Sequence, residues 1–153
     1  MSQVGTRSDA GLATAMRISI SRLARRLKVE QRLGVSGSDP VLSDIQLAAL
    51  SALERHRAMT PGELADYEKV QPPSMTRVIA VLEERNLVQR TAHPTDRRQV
   101  ILTVTAEGRA LVHRVRRRKE AWLAQRLDEL SEAEVEILRA AAPILEKLSQ
   151  SRG

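Results

Sequence analysis

Apolar and polar positions along the chain follow a helical period that gives way once, over some eighteen residues, to a period of two. From Asp9 the residues Leu12, Met16, Ile20, Leu23 and Leu27 recur mostly three or four positions apart, and the pattern fades after Leu33. Residues 1–8 ahead of it read as a flexible tail. Gly34-Val35-Ser36-Gly37-Ser38-Asp39-Pro40 is a loop by composition. Ser43 or Asp44 can cap a second helix that carries Leu47, Leu50 and Leu53 and ends near His56. Thr60-Pro61-Gly62-Glu63 is a compact start for a third, with a capping Thr, Pro at the first helical position and Glu three residues after the cap. That helix is short and ends near Tyr67.

A turn around Glu68-Lys69-Val70-Gln71 leads to Pro72-Pro73, which a helix tolerates only at its beginning. The fourth helix then runs to about Arg85, with Met75, Val78, Ile79 and Leu82 on one face. Asn86 suits a left-handed helix end. The period now changes: Leu87 to Thr91 reads as a strand, 92–98 as a polar loop, and Gln99 to Val104 as a second strand alternating Val100, Leu102 and Val104. Thr105 with Gly108 opens a long fifth helix. Ser131 with Glu134 boxes the start of a sixth, which carries Val135, Leu138, Ala142, Leu145 and Leu148. Pro143, inside that helix, should kink or break it. The expected fold is mainly α with a small β-hairpin, in the order ααααββαα.

A short capped helix, a tight turn, a longer helix and a polar-tipped hairpin form a winged helix-turn-helix, here residues 42–104. The second of the two helices is the one suited to a major groove. With Met75 taken as the core direction, Pro73 and Arg77 point outward, flanked by Ser74 and Thr76. Arg can bridge a guanine edge, Ser and Thr can reach bases or phosphates, and a helix N-terminus attracts a phosphate. The hairpin tip, His93-Pro94-Thr95-Asp96-Arg97-Arg98, sets two arginines at the point of greatest reach, where a narrow, electronegative minor groove would receive them. Asp96 would be repelled by phosphate, so it orients a neighbouring Arg or ties the loop backbone.

Charge supports a polyanionic partner only in part. The chain of 153 residues carries a formal charge of +6, but residues 58–103, which hold the candidate DNA-reading elements, are neutral. Arg outnumbers Lys by 21 to 4, which a GC-rich genome would produce as readily as a preference for phosphate. The basic run His113 to Lys119 falls within the fifth helix and reads as a solvated or interface-rimming face rather than a phosphate contact. With one Trp, one Tyr and no Phe, the core is aliphatic and base stacking is implausible; Trp122 is expected in a dimer core and Tyr67 in a supporting role. The absence of Cys excludes disulfides, thiolate nucleophiles, Cys-type zinc sites and thiol-based sensing. His56, His93 and His113 are too scattered for a metal site, and no cofactor motif is present. There is no nucleophile elbow, no Gly-rich phosphate loop and no acid/base pair, so an enzyme is not expected. No stretch reads as a membrane span or signal peptide, which points to a cytoplasmic protein.

The segment Leu87-Val88 through Asp96-Arg97-Arg98 to Leu102-Thr103 and Thr105-Ala106-Glu107-Gly108 resembles the wing of the multiple-antibiotic-resistance regulator (MarR) family. Gln71-Pro72-Pro73-Ser74-Met75-Thr76-Arg77, followed by Leu82-Glu83, is similar to its recognition helix, and the likeness extends over roughly residues 10–150. The resemblance implies a homodimer built from helices in 9–35 and 105–150, each subunit presenting one recognition helix and one wing to a palindromic double-stranded operator. It carries the wing-tip Arg over to Arg98, with Arg97 sharing the role, its partner Asp to Asp96, and the recognition contacts to Ser74, Thr76 and Arg77. It further implies a repressor released by a small effector, often an aromatic or phenolic acid, bound between the dimer end and the DNA-reading lobe. No effector-binding residue is assigned from sequence. A winged helix used only for protein interaction is the rival reading; the neutral middle third favours it, and Arg77 with the wing-tip pair opposes it.

Overall fold

The computed structural model describes residues 5–34, 37 and 39–151. The order is α1 (Gly5–Gly34), α2 (Asp44–His56), β1 (Ala58–Met59), α3 (Pro61–Glu68), α4 (Pro72–Glu84), β2 (Val88–Ala92), β3 (Val100–Val104), α5 (Ala106–Leu127) and α6 (Glu132–Ser149). Helices dominate, and the strands form one small antiparallel sheet in the order β1-β3-β2.

The caps legible in the sequence set the helix starts. Ser43, rather than Asp44, caps α2: its hydroxyl accepts the Gln46 amide at 3.3 Å while Gln46 Oε1 accepts the Ser43 amide at 2.9 Å. Ser131 forms the same box for α6, and Thr60 caps α3 by accepting the Glu63 amide while its hydroxyl donates to the Glu63 carboxylate. Thr105 has a further task. Its hydroxyl accepts the Gly108 amide at 3.1 Å and donates to the Asn86 carbonyl at 2.7 Å, joining the start of α5 to the turn before β2. Gly108 has to be glycine there: a Cβ would overlap the Leu87 carbonyl oxygen and lie 2.8 Å from Val104 Cγ1.

Three expectations need correction. The order ααααββαα lacks β1, which pairs Ala58 with Thr103 and Met59 with Leu102; two residues are too few to show alternation, so only tertiary pairing reveals them. The helix expected from Asp9 begins at Gly5, because no proline interrupts that stretch and extending an existing helix costs little. Of the segment expected as a tail, residues 1–4 lie outside the described residues, as do 35, 36 and 38 of the loop before α2. Pro143 does not break α6, which runs unbroken from Glu132 to Ser149. The proline removes one donor, that to the Arg139 carbonyl, and leaves the bonds on either side to carry the helix.

The core is the winged-helix lobe. Leu50 and Leu53 of α2, Leu64 of α3, Met75, Ile79 and Leu82 of α4, Leu102 of β3 and Leu111 of α5 are all fully buried. Outside it, α1 packs along α5, whereas α6 has no fully buried side chain. The basic run on α5 forms an ion-pair seam: Arg114 meets Asp39, Arg118 meets Glu30 of α1, and His113 and Arg116 share Glu54 of α2 at 3.0 and 2.6 Å. These side chains are thus engaged within the chain while staying partly open to solvent.

Glu54 therefore ties the winged-helix lobe to α5. The hydrogen bonds from His113 and Arg116 hold its carboxyl below the ordinary range, against the opposing effect of burial. A carboxylate with a depressed folded-state pKa stabilises the fold above its unfolded pKa, and that stability is lost as pH falls through the folded value. Glu54→Gln should accordingly lower the melting temperature at pH 7 by about 2–4 °C, the shift that ~1 kcal/mol produces in a chain of this size. Thermal unfolding followed by circular dichroism should show the difference narrowing as pH falls below the unfolded value and through the depressed folded-state value, below which Glu54 is protonated in both states.

Candidate nucleic-acid interface

The α4 helix has one face in the core and one in solvent. Met75, Val78, Ile79 and Leu82 are buried, while Pro73, Ser74, Thr76 and Arg77 are exposed. The spacing of the apolar residues thus orients the candidate contacts outward, as the sequence predicts. Two details change their chemistry. Prolines at the first two helical positions remove two of the amide donors usually free at a helix start, and the Met75 amide is bonded to the Gln71 carbonyl. Ser74 supplies the one remaining amide of that first turn. Thr76 donates its hydroxyl proton to the Pro72 carbonyl at 2.9 Å, which leaves its oxygen to accept and its methyl for apolar contact.

The wing is set against this helix. The hairpin pairs β2 with β3 from Val88–Val104 out to Ala92–Val100, and the Arg90 guanidinium on β2 is ion-paired with Glu83 on α4. At the tip, Asp96 is half-buried and its Oδ1 accepts the Arg98 amide at 3.0 Å. Of the two roles open to Asp96, tying the backbone is the one seen. Arg97 and Arg98 are exposed beside it.

The cations of this surface differ in their pairing from those of the α5 seam. Among the described residues, the guanidinium groups of Arg77, Arg97 and Arg98 have no acidic partner within ion-pair distance, whereas His113, Arg114, Arg116 and Arg118 on α5 all do. Sequence reading passed over two residues here. Gln71 is exposed at the N-cap of α4 and makes no capping bond; an amide where Ser, Thr, Asp or Asn is usual was the available signal. His93 is the other, and its hydrogen bonds at the wing tip are visible only in three dimensions. Tyr67 supports α2 instead of facing outward, its ring edge-on to His56 at 4.8 Å and its hydroxyl 3.4 Å from Arg55.

A cavity of about 540 Å³ lies where α2 and α3 face α5 and the end of α6, with Ala48, Ser51, Tyr67, Val115, Arg116 and Lys119 in its wall. Burial pushes the Lys119 ammonium below its usual range, partly offset by Asp44. Burial also raises the Glu68 carboxyl at the cavity edge, offset by Arg55. No group of three His, Asp or Glu among the described residues could hold a metal ion. No described helix is long and apolar enough to cross a membrane.

A recognition-type helix with an open polar face, braced to a two-arginine wing, defines a winged helix-turn-helix protein. Residues 42–100 match the MarR family. Over 138 residues the chain is 46% identical to an uncharacterized HTH-type transcriptional regulator of Mycobacterium bovis, spanning 90% of this chain and 92% of that one. It is 31% identical over 134 residues to the HTH-type transcriptional repressor MdtR of Bacillus subtilis, spanning 88% and 84%. The fold is shared with Streptococcus pneumoniae FabT in a crystal structure with DNA, at a TM-score of 0.75 and 20% identity over 90% of this chain and 96% of that one. The chain belongs to the MarR family of transcriptional regulators, which are DNA-binding proteins and not enzymes.

Proposed function

We propose that the protein is a homodimeric, sequence-specific repressor of the cytoplasm that binds a palindromic operator and is released by a small aromatic or phenolic acid. The observation that carries the DNA-binding part is geometric: the outward face of α4 exposes Pro73, Ser74, Thr76 and Arg77 beside a wing whose tip exposes Arg97 and Arg98, and none of these three guanidinium groups has an acidic partner among the described residues. Residues 42–104 form the reading lobe, and 9–35 with 105–150 the dimerisation region. Support for the dimer comes from apolar side chains left in solvent, among them Ile20 and Leu23 of α1 and Ile137, Ile144 and Leu148 of α6. Two copies related by a two-fold axis would meet half-sites about one helical turn apart. The repressor sign follows the Bacillus relative's name.

The effector site on this reading is the cavity between the reading lobe and α5. Lys119 supports an acidic ligand, since a carboxylate placed there would restore the favourable surroundings that burial takes from the ammonium. Occupancy would shift α5 against α2 and change the spacing of the two recognition helices, lowering affinity for a site that demands both.

Arg77 provides the test of sequence reading. Arg77→Ala should weaken operator binding by about 1–3 kcal/mol per half-site, concentrated at one base-pair position, with little change on random duplex. Competition binding with single-position operator variants checks this. An equal loss on operator and random DNA would make Arg77 a phosphate contact and remove it from the reading set.

A further inference from the structure

The six-residue wing tip closes on an imidazole. His93 Nδ1 lies 3.2 Å from the Thr95 amide, 3.1 Å from the Asp96 amide and 3.4 Å from Thr95 Oγ1. Facing two backbone N–H groups, Nδ1 serves as an acceptor through its lone pair, the arrangement of the tautomer that carries its proton on Nε2. The backbone continues the closure, with the His93 amide donating to Gln99 O at 3.3 Å and the Gln99 amide to Asp96 O at 3.1 Å. Asp96 then takes the Arg98 amide.

Two side chains thus divide the amides of the tip between them: His93 holds those of Thr95 and Asp96, and Asp96 holds that of Arg98. The first arrangement is the one an Asn or Asp side chain makes when it accepts the amide two residues on, and Pro94 at the intervening position fixes φ for the same turn. An imidazole Nδ1 and an Asn Oδ1 occupy equivalent places along the side chain, one atom beyond Cγ. His93 is half-buried, which fits a brace better than a groove contact.

We propose that His93 is a positioning residue of the wing: as the Nε2-protonated tautomer it acts as an Asx-like acceptor that shapes the tip and so places Arg97 and Arg98. The inference rests on the wing's role in DNA binding proposed above, and its experiment separates the two. Removing the acceptor leaves two amides to find water and loosens the loop, so His93→Ala should weaken operator binding roughly five- to tenfold, the equivalent of one hydrogen bond's net worth. His93→Asn restores the acceptor without the ring and should bind within about twofold of wild type.

The experiment has two arms. Operator titrations on the full-length protein compare wild type, His93→Ala, His93→Asn and the Arg97→Ala/Arg98→Ala double variant, with folding checked by circular dichroism. In parallel, long-range ¹H–¹⁵N correlation spectra of the DNA-free protein report which imidazole nitrogen carries the proton, and amide exchange reports on Thr95 and Asp96. Support consists of an Nε2–H ring, slow Thr95 and Asp96 exchange in wild type and His93→Asn but fast exchange in His93→Ala, and rescue of binding by Asn. An Nδ1–H ring, or His93→Asn as weak as His93→Ala, overturns the assignment. If the double variant binds like wild type, the wing reading fails. The tautomer and exchange data then still decide whether His93 shapes the tip.

Discussion

Replacing Ile137 and Ile144 by Asp should convert the protein into a folded monomer and weaken operator binding by a factor on the order of 10²–10⁴, the advantage that linking two half-site contacts confers. The two positions lie seven residues apart on α6, so they share a face, and they are 67% and 60% exposed. Exposure of that degree means neither side chain supports the fold of its own chain, so the double variant should keep its secondary structure and the unfolding transition of the winged-helix lobe. What it loses is the area that a second copy would cover. An 18-residue helix with Leu138, Leu145 and Leu148 also open to solvent has no other means of hiding its apolar side. Light scattering and operator titration on the same samples decide the matter. A variant that stays dimeric, or a monomer that binds with unchanged affinity, would place the interface elsewhere or make it irrelevant to DNA.

That result bears on what the sequence could and could not reveal. Wherever a pattern is local, it was legible: Thr60-Pro61-Gly62-Glu63 and Thr105 with Gly108 start helices where expected, and the Met75–Leu82 stripe aims Arg77 outward. Periodicity says which face is apolar but not what covers it. The stripe of α4 is buried within the chain, while the equally regular stripe of α6 is exposed, and nothing in their spacing tells the two apart. The ion pairs of the basic run on α5 are hidden from sequence for a related reason: its partners Asp39, Glu54 and Glu30 lie at least 59 residues away in sequence. The two-residue β1 and the double role of Thr105 depend on tertiary pairing in the same way. Pro143 fails as a helix breaker because removing one bond from an 18-residue helix costs less than ending it.

The wing offers the second large effect, because its arginines can be removed without touching the core. Arg97 and Arg98 are exposed, and the hairpin that carries them is held by the β2–β3 ladder and the Arg90–Glu83 pair, neither of which involves the tip side chains. If α4 occupies a major groove, a tip five ladder steps out from the base of the hairpin lies over the adjacent minor groove or its phosphates. Edges in that groove scarcely distinguish A·T from T·A, so an Arg there senses width and potential rather than a base code. Arg97→Ala/Arg98→Ala should therefore weaken binding to all duplexes, by a factor on the order of 10²–10³ near 0.1 M salt, and make the log–log salt dependence shallower by about one unit per Arg per subunit. Preference for A·T-rich flanks should fall while the major-groove consensus stays intact. Asp96→Ala should act in the same direction but more weakly, since it frees the Arg98 amide and leaves both charges in place. Operator and random-duplex titrations across a range of salt concentrations give the slopes directly. A double variant with the wild-type slope would show that neither guanidinium displaces a counterion, and the tip would then be a polar turn without a DNA contact.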